Sequence, residues 1–298
     1  MRRLALLSMP AAVSLLVAGC AASSGGNPGG NSPASVGTSA GASTSAAASC
    51  TPDTMQTHTA GVLTVATDSP AYPPWFVDDK PSNGKGYESA VAYAVAKQLG
   101  YTTDHVKWVH AAFNSVIAPT PKNFDFDINQ VSITAKRAQA VDFSSGYYDV
   151  AQSIIALKSD KYANATSIAD LHGAKLGAQQ GTTSLDAIND VIKPGKTPSE
   201  YPRNELAVQA LKNGQIDGLV VDLPTGLYIT AAELDNAKIV GQLPDSSSQP
   251  EQFGMVLDKG SSLTSCVSQA VDALRADGTL ADLQQRWLTS AAGAPELK

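Results

Sequence analysis

The chain has 298 residues, 43% of them hydrophobic, and a formal charge of −6 at neutral pH. Its first fifty or so residues lack the pattern of a fold, and the remaining 245 or so suffice for one large or two smaller domains with a sizeable core. The acid excess and the lack of a basic stripe argue against a nucleic-acid partner. The four histidines (His58, His105, His110, His172) have no metal-ligand spacing, so neither a metal nor a cofactor is expected.

Arg2 and Arg3 form a basic n-region, and Leu4 to Ala18 is an apolar run of signal-peptide length, too short to span a bilayer. The run ends in Val17-Ala18-Gly19-Cys20, which resembles a lipobox: an aliphatic residue, two small residues and a cysteine. Residues 1–19 are therefore expected to be a signal peptide, with Cys20 the lipidated, palmitate-bearing first residue after cleavage. The alternative is an ordinary signal peptide with an incidental cysteine. Loss of the two arginines leaves a charge of −8. In residues 21–49, Ala, Ser and Gly fill 22 of 29 positions and none is charged, a composition that cannot bury a core. Such a segment spans roughly 30 Å, which suits a tether above the outer face of the cell membrane. Residues 20–55 are read as that anchor and tether. Export places Cys50 and Cys266 in an oxidising compartment. A single disulfide between them is the economical expectation, and two free buried thiols the alternative.

Strand and helix patterns then alternate. Residues 61–67 read as a strand, bounded by Gly61 and the turn-prone Asp68-Ser69-Pro70. Val91, Val95 and Leu99 lie at helical spacing over 87–99, with Gly100 as the stop. Further strands are predicted over 126–133, 153–157, 175–179 and 216–221, and helices over 167–171, 183–192, 204–213, 262–276 and 279–289. Alternation of this kind implies an α/β protein with mostly parallel sheets. Ligands in such sheets sit beyond the carboxyl ends of the strands. That points at Asp68, Gln130 to Arg137, Gln180 to Ser184 and Asp222.

These turns hold what a free amino acid needs. An α-carboxylate wants a planar bidentate donor, which arginine supplies, and main-chain N–H groups such as those at a helix N-terminus. An α-ammonium wants a carboxylate and neutral acceptors. Taken singly, Arg137 reads as a surface ion pair, and Thr182, Thr183 and Asp222 as helix caps. Their convergence is the informative part.

The motifs also resemble those of solute-binding protein family 3, the polar amino-acid-binding proteins of ABC importers, in family order from about Gly61 to Leu288. They include Leu63-Thr64-Val65-Ala66-Thr67-Asp68, Tyr72-Pro73-Pro74-Trp75-Phe76, Gly86-Tyr87-Glu88, Ser132-Ile133-Thr134-Ala135-Lys136-Arg137, Gln180-Gly181-Thr182-Thr183 and Ala276-Asp277-Gly278-Thr279-Leu280. The resemblance implies a two-lobed, periplasmic-binding-protein-like α/β fold of type II, with two hinge crossings and the ligand in the interlobe cleft. It implies lobe 1 over 56–150 and 252–290, lobe 2 over 151–251, and a tail over 291–298. It also implies that Arg137 pairs with the ligand carboxylate, helped by main-chain N–H groups of Ser132 and Thr183. Asp222 takes the ammonium, with the Gln130 carbonyl and the Ser132 hydroxyl. Tyr72 and Phe113 sandwich the ligand side chain, Trp75 is counted with the ligand-binding residues, and Asp68 reaches the distal end of the ligand. Glu88, Asn129-Gln130, Trp75 and Gln179 depart from the usual family residues and bear on ligand identity.

The function implied is the extracellular substrate-binding component of an ABC transporter, a monomer that captures a polar or cationic amino acid by cleft closure and delivers it to a permease and ATPase. The alternatives are a sensory lipoprotein feeding a signalling partner and a dehydratase on the same fold. An enzyme would need a general acid or base near its substrate, and no histidine falls in the predicted cleft loops.

Overall fold

The computed structural model describes residues 50–244, 250–288 and 294–298, all within one compact unit. The expected signal peptide, Cys20 and the 21–49 tether lie outside the described residues.

The first strand, β1 (Leu63–Thr67), is buried along its whole length. Its loop leads to α1 (Tyr87–Gln98), which buries Val91, Ala92 and Val95. The helix opens at Gly86, where φ is 94°, and a Cβ there would collide with the Trp75 carbonyl, so only glycine fits. Next come β2 (Val106–His110), the short α2 (Phe113–Val116), β3 (Phe126–Asp127), β4 (Asp142–Phe143) and β5 (Tyr148–Val150). The strand expected over 126–133 thus ends at Asp127, because Gln130 leaves extended geometry at a φ of 48°. The chain then enters a second sheet with β6 (Gln152–Leu157), β7 (Leu176–Gln179), α3 (Thr183–Ala187, widening into a π turn over Ile188–Ile192), β8 (Ser199–Tyr201), α4 (Asn204–Lys212), β9 (Gly218–Asp222), α5 (Leu223–Tyr228) and β10 (Ala237–Gln242). It returns through β11 (Glu251–Phe253) and β12 (Val256–Leu257), and closes with α6 (Thr264–Ala276) and α7 (Thr279–Leu288).

Two five-stranded sheets result, in the orders β2-β1-β3-β12-β4 and β10-β6-β9-β7-β8. β1 runs parallel to β2 and β3, and β7 parallel to β8 and β9, whereas β12 and β6 are antiparallel to their neighbours. The molecule is therefore two-lobed. β5 and β11 pair antiparallel, Tyr148 with Phe253 and Val150 with Glu251, where the chain passes between sheets. Each lobe has its own core. One packs α1 and α6 around Trp75, Tyr87, Phe126 and Phe253, and the other gathers Ile154, Leu176, Ile188 and Val220.

Cys50 and Cys266 form the expected disulfide, with Cα atoms 5.4 Å apart, tying the start of the described chain to α6. The last residues are docked onto the second sheet: Glu296 bridges Gln242, Leu297 is buried, and Ile168 donates its N–H to the Lys298 carbonyl at 2.9 Å. No helix among the described residues is long and apolar enough to cross a membrane.

Candidate functional site

The carboxyl ends of β1 and β9 and the N-terminus of α3 converge on one cleft between the lobes. Asp68, Tyr72, Phe113, Gln130, Ser132, Arg137, Thr183 and Asp222 all line it. Trp75 does not. It is fully buried, meets Tyr87, Tyr148 and Phe253 edge to face, and donates its indole N–H to Thr225 Oγ1 at 2.9 Å. The expectation of Trp75 at the cleft is thus corrected: its ring packs into the first lobe's core and its one polar atom is spent on the second lobe. A buried indole N–H needs such a partner.

Arg137 is held from both sides. One terminal nitrogen donates to the Ser132 carbonyl at 2.7 Å, and the other reaches across the cleft to the Gly181 carbonyl at 2.9 Å. Its guanidinium carbon stands 5.5 Å from the Phe113 ring centroid, in cation–π geometry. Two of its five N–H donors are thereby fixed, and three remain for a ligand. Burial lowers the guanidinium's pKa, and the carboxylates Glu251, Asp186 and Asp222 oppose that shift. The charge stays in place because carboxylates surround it.

Asp68 anchors the opposite end. Its two oxygens accept the N–H groups of Ser69 at 2.7 Å and Phe113 at 3.2 Å, so it caps α2 from another segment, and His110 lies 3.7 Å away. Tyr72 lies beside Glu205 of α4; burial and then the carboxylates Glu205, Asp68 and Glu233 keep its phenol protonated.

The second lobe presents Thr182, Thr183 and Asp222. Thr182 caps α3, accepting from the Leu185 N–H at 3.3 Å. Thr183 Oγ1 lies 3.2 Å from Ser132 Oγ across the cleft, and donates to Glu251 Oε1 at 2.6 Å. Gly181, which carries the carbonyl bound to Arg137, has a φ of 76°. Asp222 ends β9, and its Oδ1 accepts from Gln152 Nε2 at 2.8 Å. Burial first, and then Glu251, push its carboxyl up to about 8, although Gln152 and Arg137 act the other way. That is the signature of an enclosed carboxylate with too little positive charge around it.

Sequence reasoning missed two residues of this network. Gln152 donates towards Asp222, Thr183 and Glu251 and accepts from Ser184 Oγ at 2.7 Å. Glu251 stands on the hinge strand β11, 99 residues away in sequence. The one available signal was position, since both residues flank the predicted crossings. Asn129 and Gln179, noted as departures from the family, also line the cleft, and the Asn129 Nδ2 is buried there without a protein partner. Among the described residues, no group of three or more histidine, cysteine or acidic side chains could hold a metal ion.

The fold and the order of its motifs are shared with known proteins. The arginine-binding protein 1 of an ABC transporter in Escherichia coli (strain K12) is 28% identical over 225 residues, 74% of this chain and 88% of that protein. The structure of an ancestral arginine-binding protein bound to glutamine superposes with a TM-score of 0.63 at 29% identity, covering 77% of this chain and 99% of that one. An ancestral amino acid-binding protein, AncCDT-1, a precursor of cyclohexadienyl dehydratase, superposes with a TM-score of 0.61 at 28% identity, covering 76% and 94%. The sequence profile of the bacterial extracellular solute-binding proteins, family 3, matches residues 63–290. The chain belongs to that family.

Proposed function

We propose that the protein is the extracytoplasmic substrate-binding component of an ABC importer, which captures a free amino acid between its lobes and hands it to a permease and its ATPase. The observation that carries this reading is the pairing of Arg137 and Asp222 across one cleft. Arg137 grips the α-carboxylate with its three remaining donors, alongside the N–H groups of Ser132 and Thr183. Asp222 takes the α-ammonium, with the Gln130 carbonyl and the Ser132 hydroxyl. Phe113 and Tyr72 flank the side chain, and Asp68 meets its distal end. Arginine-binding relatives support a polar or cationic ligand, as does the excess of carboxylates around the cleft. We read it as a monomer that acts by binding rather than turnover, in keeping with its arginine-binding relatives.

Closure follows from electrostatics. Only an occupied cleft gives both charges a partner away from water, and such pairs strengthen as the lobes exclude solvent. Cys20 anchors the chain by lipid to the outer face of the cell membrane, as its lipobox-like context suggests. Isothermal titration against the twenty L-amino acids tests the reading. Binding of one or a few of them is expected, with polar or cationic members tightest; heat from none of them overturns it. For the anchor, Cys20→Ser should release the protein from the cell surface into the medium.

A further inference from the structure

Glu88 lies in the first turn of α1 and is wholly buried, yet its carboxylate is spent on a residue of the cleft. Oε1 accepts the main-chain N–H of Gln130 at 2.7 Å, and Oε2 accepts the Gln130 side-chain amide. The Tyr147 hydroxyl donates to Oε1 at 2.5 Å. Both donors of Gln130 are therefore clamped by one carboxylate. Gln130 has a φ of 48°, in the left-handed region, which costs a residue with a Cβ about 1–2 kcal/mol. Something must hold it there, and the clamp does so.

The consequence lies in what Gln130 is left to offer. Its N–H and amide turn into the first lobe. The neighbouring Val131 carbonyl accepts from the Gly254 N–H at 3.0 Å, and the Ser132 carbonyl accepts from Arg137 at 2.7 Å. Among the described residues, the Gln130 carbonyl is the one main-chain acceptor of residues 130–132 with no protein donor on it. Burial pushes the Glu88 carboxyl up to about 7, while its bonds to Tyr147 and Gln130 pull the other way; the clamp itself is seen in the geometry of those bonds.

We propose that Glu88 is a positioning residue: by clamping Gln130 in the left-handed conformation it aims the Gln130 carbonyl at the α-nitrogen of the ligand, and so sets how strongly the cleft prefers an α-amino acid over the same acid without its amino group. This rests on the amino-acid reading above. Glu88 touches no ligand atom itself. Glu88→Gln keeps the side-chain shape and one acceptor oxygen but sets an NH2 group in place of the other, so one of the two bonds to Gln130 is lost and the clamp loosens.

The test measures a ratio. L-arginine is titrated against 5-guanidinopentanoate, and L-glutamine against glutaramate, each pair differing only by the amino group. In Glu88→Gln the preference for the amino acid should fall about tenfold, the worth of one charge-assisted hydrogen bond, while affinity for the deaminated acid changes less than threefold. A residue that merely supports the fold would weaken both members alike and leave the ratio unchanged. Tyr147→Phe serves if Glu88→Gln does not fold, since it removes one donor from the carboxylate without touching Gln130, and the ratio should move in the same direction. If wild type binds neither, the amino acid it binds most tightly among the twenty is used with its deaminated analogue, and heat from none of the twenty overturns the amino-acid reading. Wild-type binding with a ratio constant within twofold in the folded variant overturns the role of Glu88 alone.

Discussion

Closing the lobes around Asp222 should take up a proton, and filling the cleft should release it. The carboxyl of Asp222 stands at about 8 in this arrangement against an ordinary value of 3.8, through burial and the nearby Glu251. At pH 7 a group with that pKa is about 0.9 protonated. A ligand ammonium placed against it reverses the balance and drives the proton off. Titration of the amino acid at pH 7 in buffers of different ionisation enthalpy should therefore report between about 0.5 and 1 proton released per ligand. In Asp222→Asn this release should vanish. The sign of the stability effect follows from linkage. The folded, ligand-free protein binds more protons than the unfolded chain between about pH 4 and pH 8, so this group's contribution to stability is greatest at the acid end and is lost as pH rises through that window. An ammonium in the cleft removes the cost of ionising Asp222, so the rise in melting temperature caused by ligand should be larger at pH 8 than at pH 5.5. Equal proton release from wild type and Asp222→Asn would refute the assignment. Release of no proton by wild type would refute it equally.

Other substitutions probe the same cleft and its frame. Arg137→Ala removes the proposed partner of the ligand's α-carboxylate, and removal of one partner of a buried charge pair costs about 3–5 kcal/mol. Titration should show the dissociation constant raised by two to three orders of magnitude, with Arg137→Lys intermediate because charge survives and the fork does not. A Cβ on Gly181 would lie 2.7 Å from Asn114 Oδ1 across the cleft. Gly181→Ala should therefore weaken binding severalfold, and adding Asn114→Ala should recover part of that loss in a double-mutant cycle. Reducing Cys50–Cys266 frees a crosslink spanning 216 residues, worth up to about 5 kcal/mol by chain entropy. The melting temperature should drop on reduction while affinity holds, because neither cysteine lines the cleft.

The frame was legible where burial dictates residue type. β1, α1 and β9 are rich in Val, Leu or Ala and flanked by glycine or turn residues, and their bounds differ by only a few residues from the expected ones. The disulfide was legible because two cysteines remained once Cys20 was set aside with the N-terminal segment. β2 was not, because an edge strand that is half exposed, with Lys107 and His110 outward, has neither an apolar run nor a clean alternation. The expected strand past Asp127 failed for a functional reason. Residues 129–132 give up the ladder to line the cleft, and Gln130 pays in backbone strain held by Glu88. Trp75 was misplaced because a motif fixes a residue's place along the chain, not the direction of its ring. Gln152 and Glu251 depend on the paired hinge strands and could emerge only from the folded topology.

The hinge network gives closure a physical logic that no single motif contains. Thr183 bonds Glu251 behind the cleft and lies against Ser132 within it, while Gln152 ties Asp222 to the same Glu251. The second-lobe residues assigned to the ligand in the proposed reading are thus bonded to Glu251 of β11, where the chain passes between the sheets. Around them the carboxylates outnumber Arg137, so a dry, closed cleft must be neutralised, by protons or by a cationic ligand group. In the proposed reading the amino acid supplies the charge that protons otherwise supply. Shutting is then selective for a ligand that brings an ammonium to Asp222, rather than for any solute that fits.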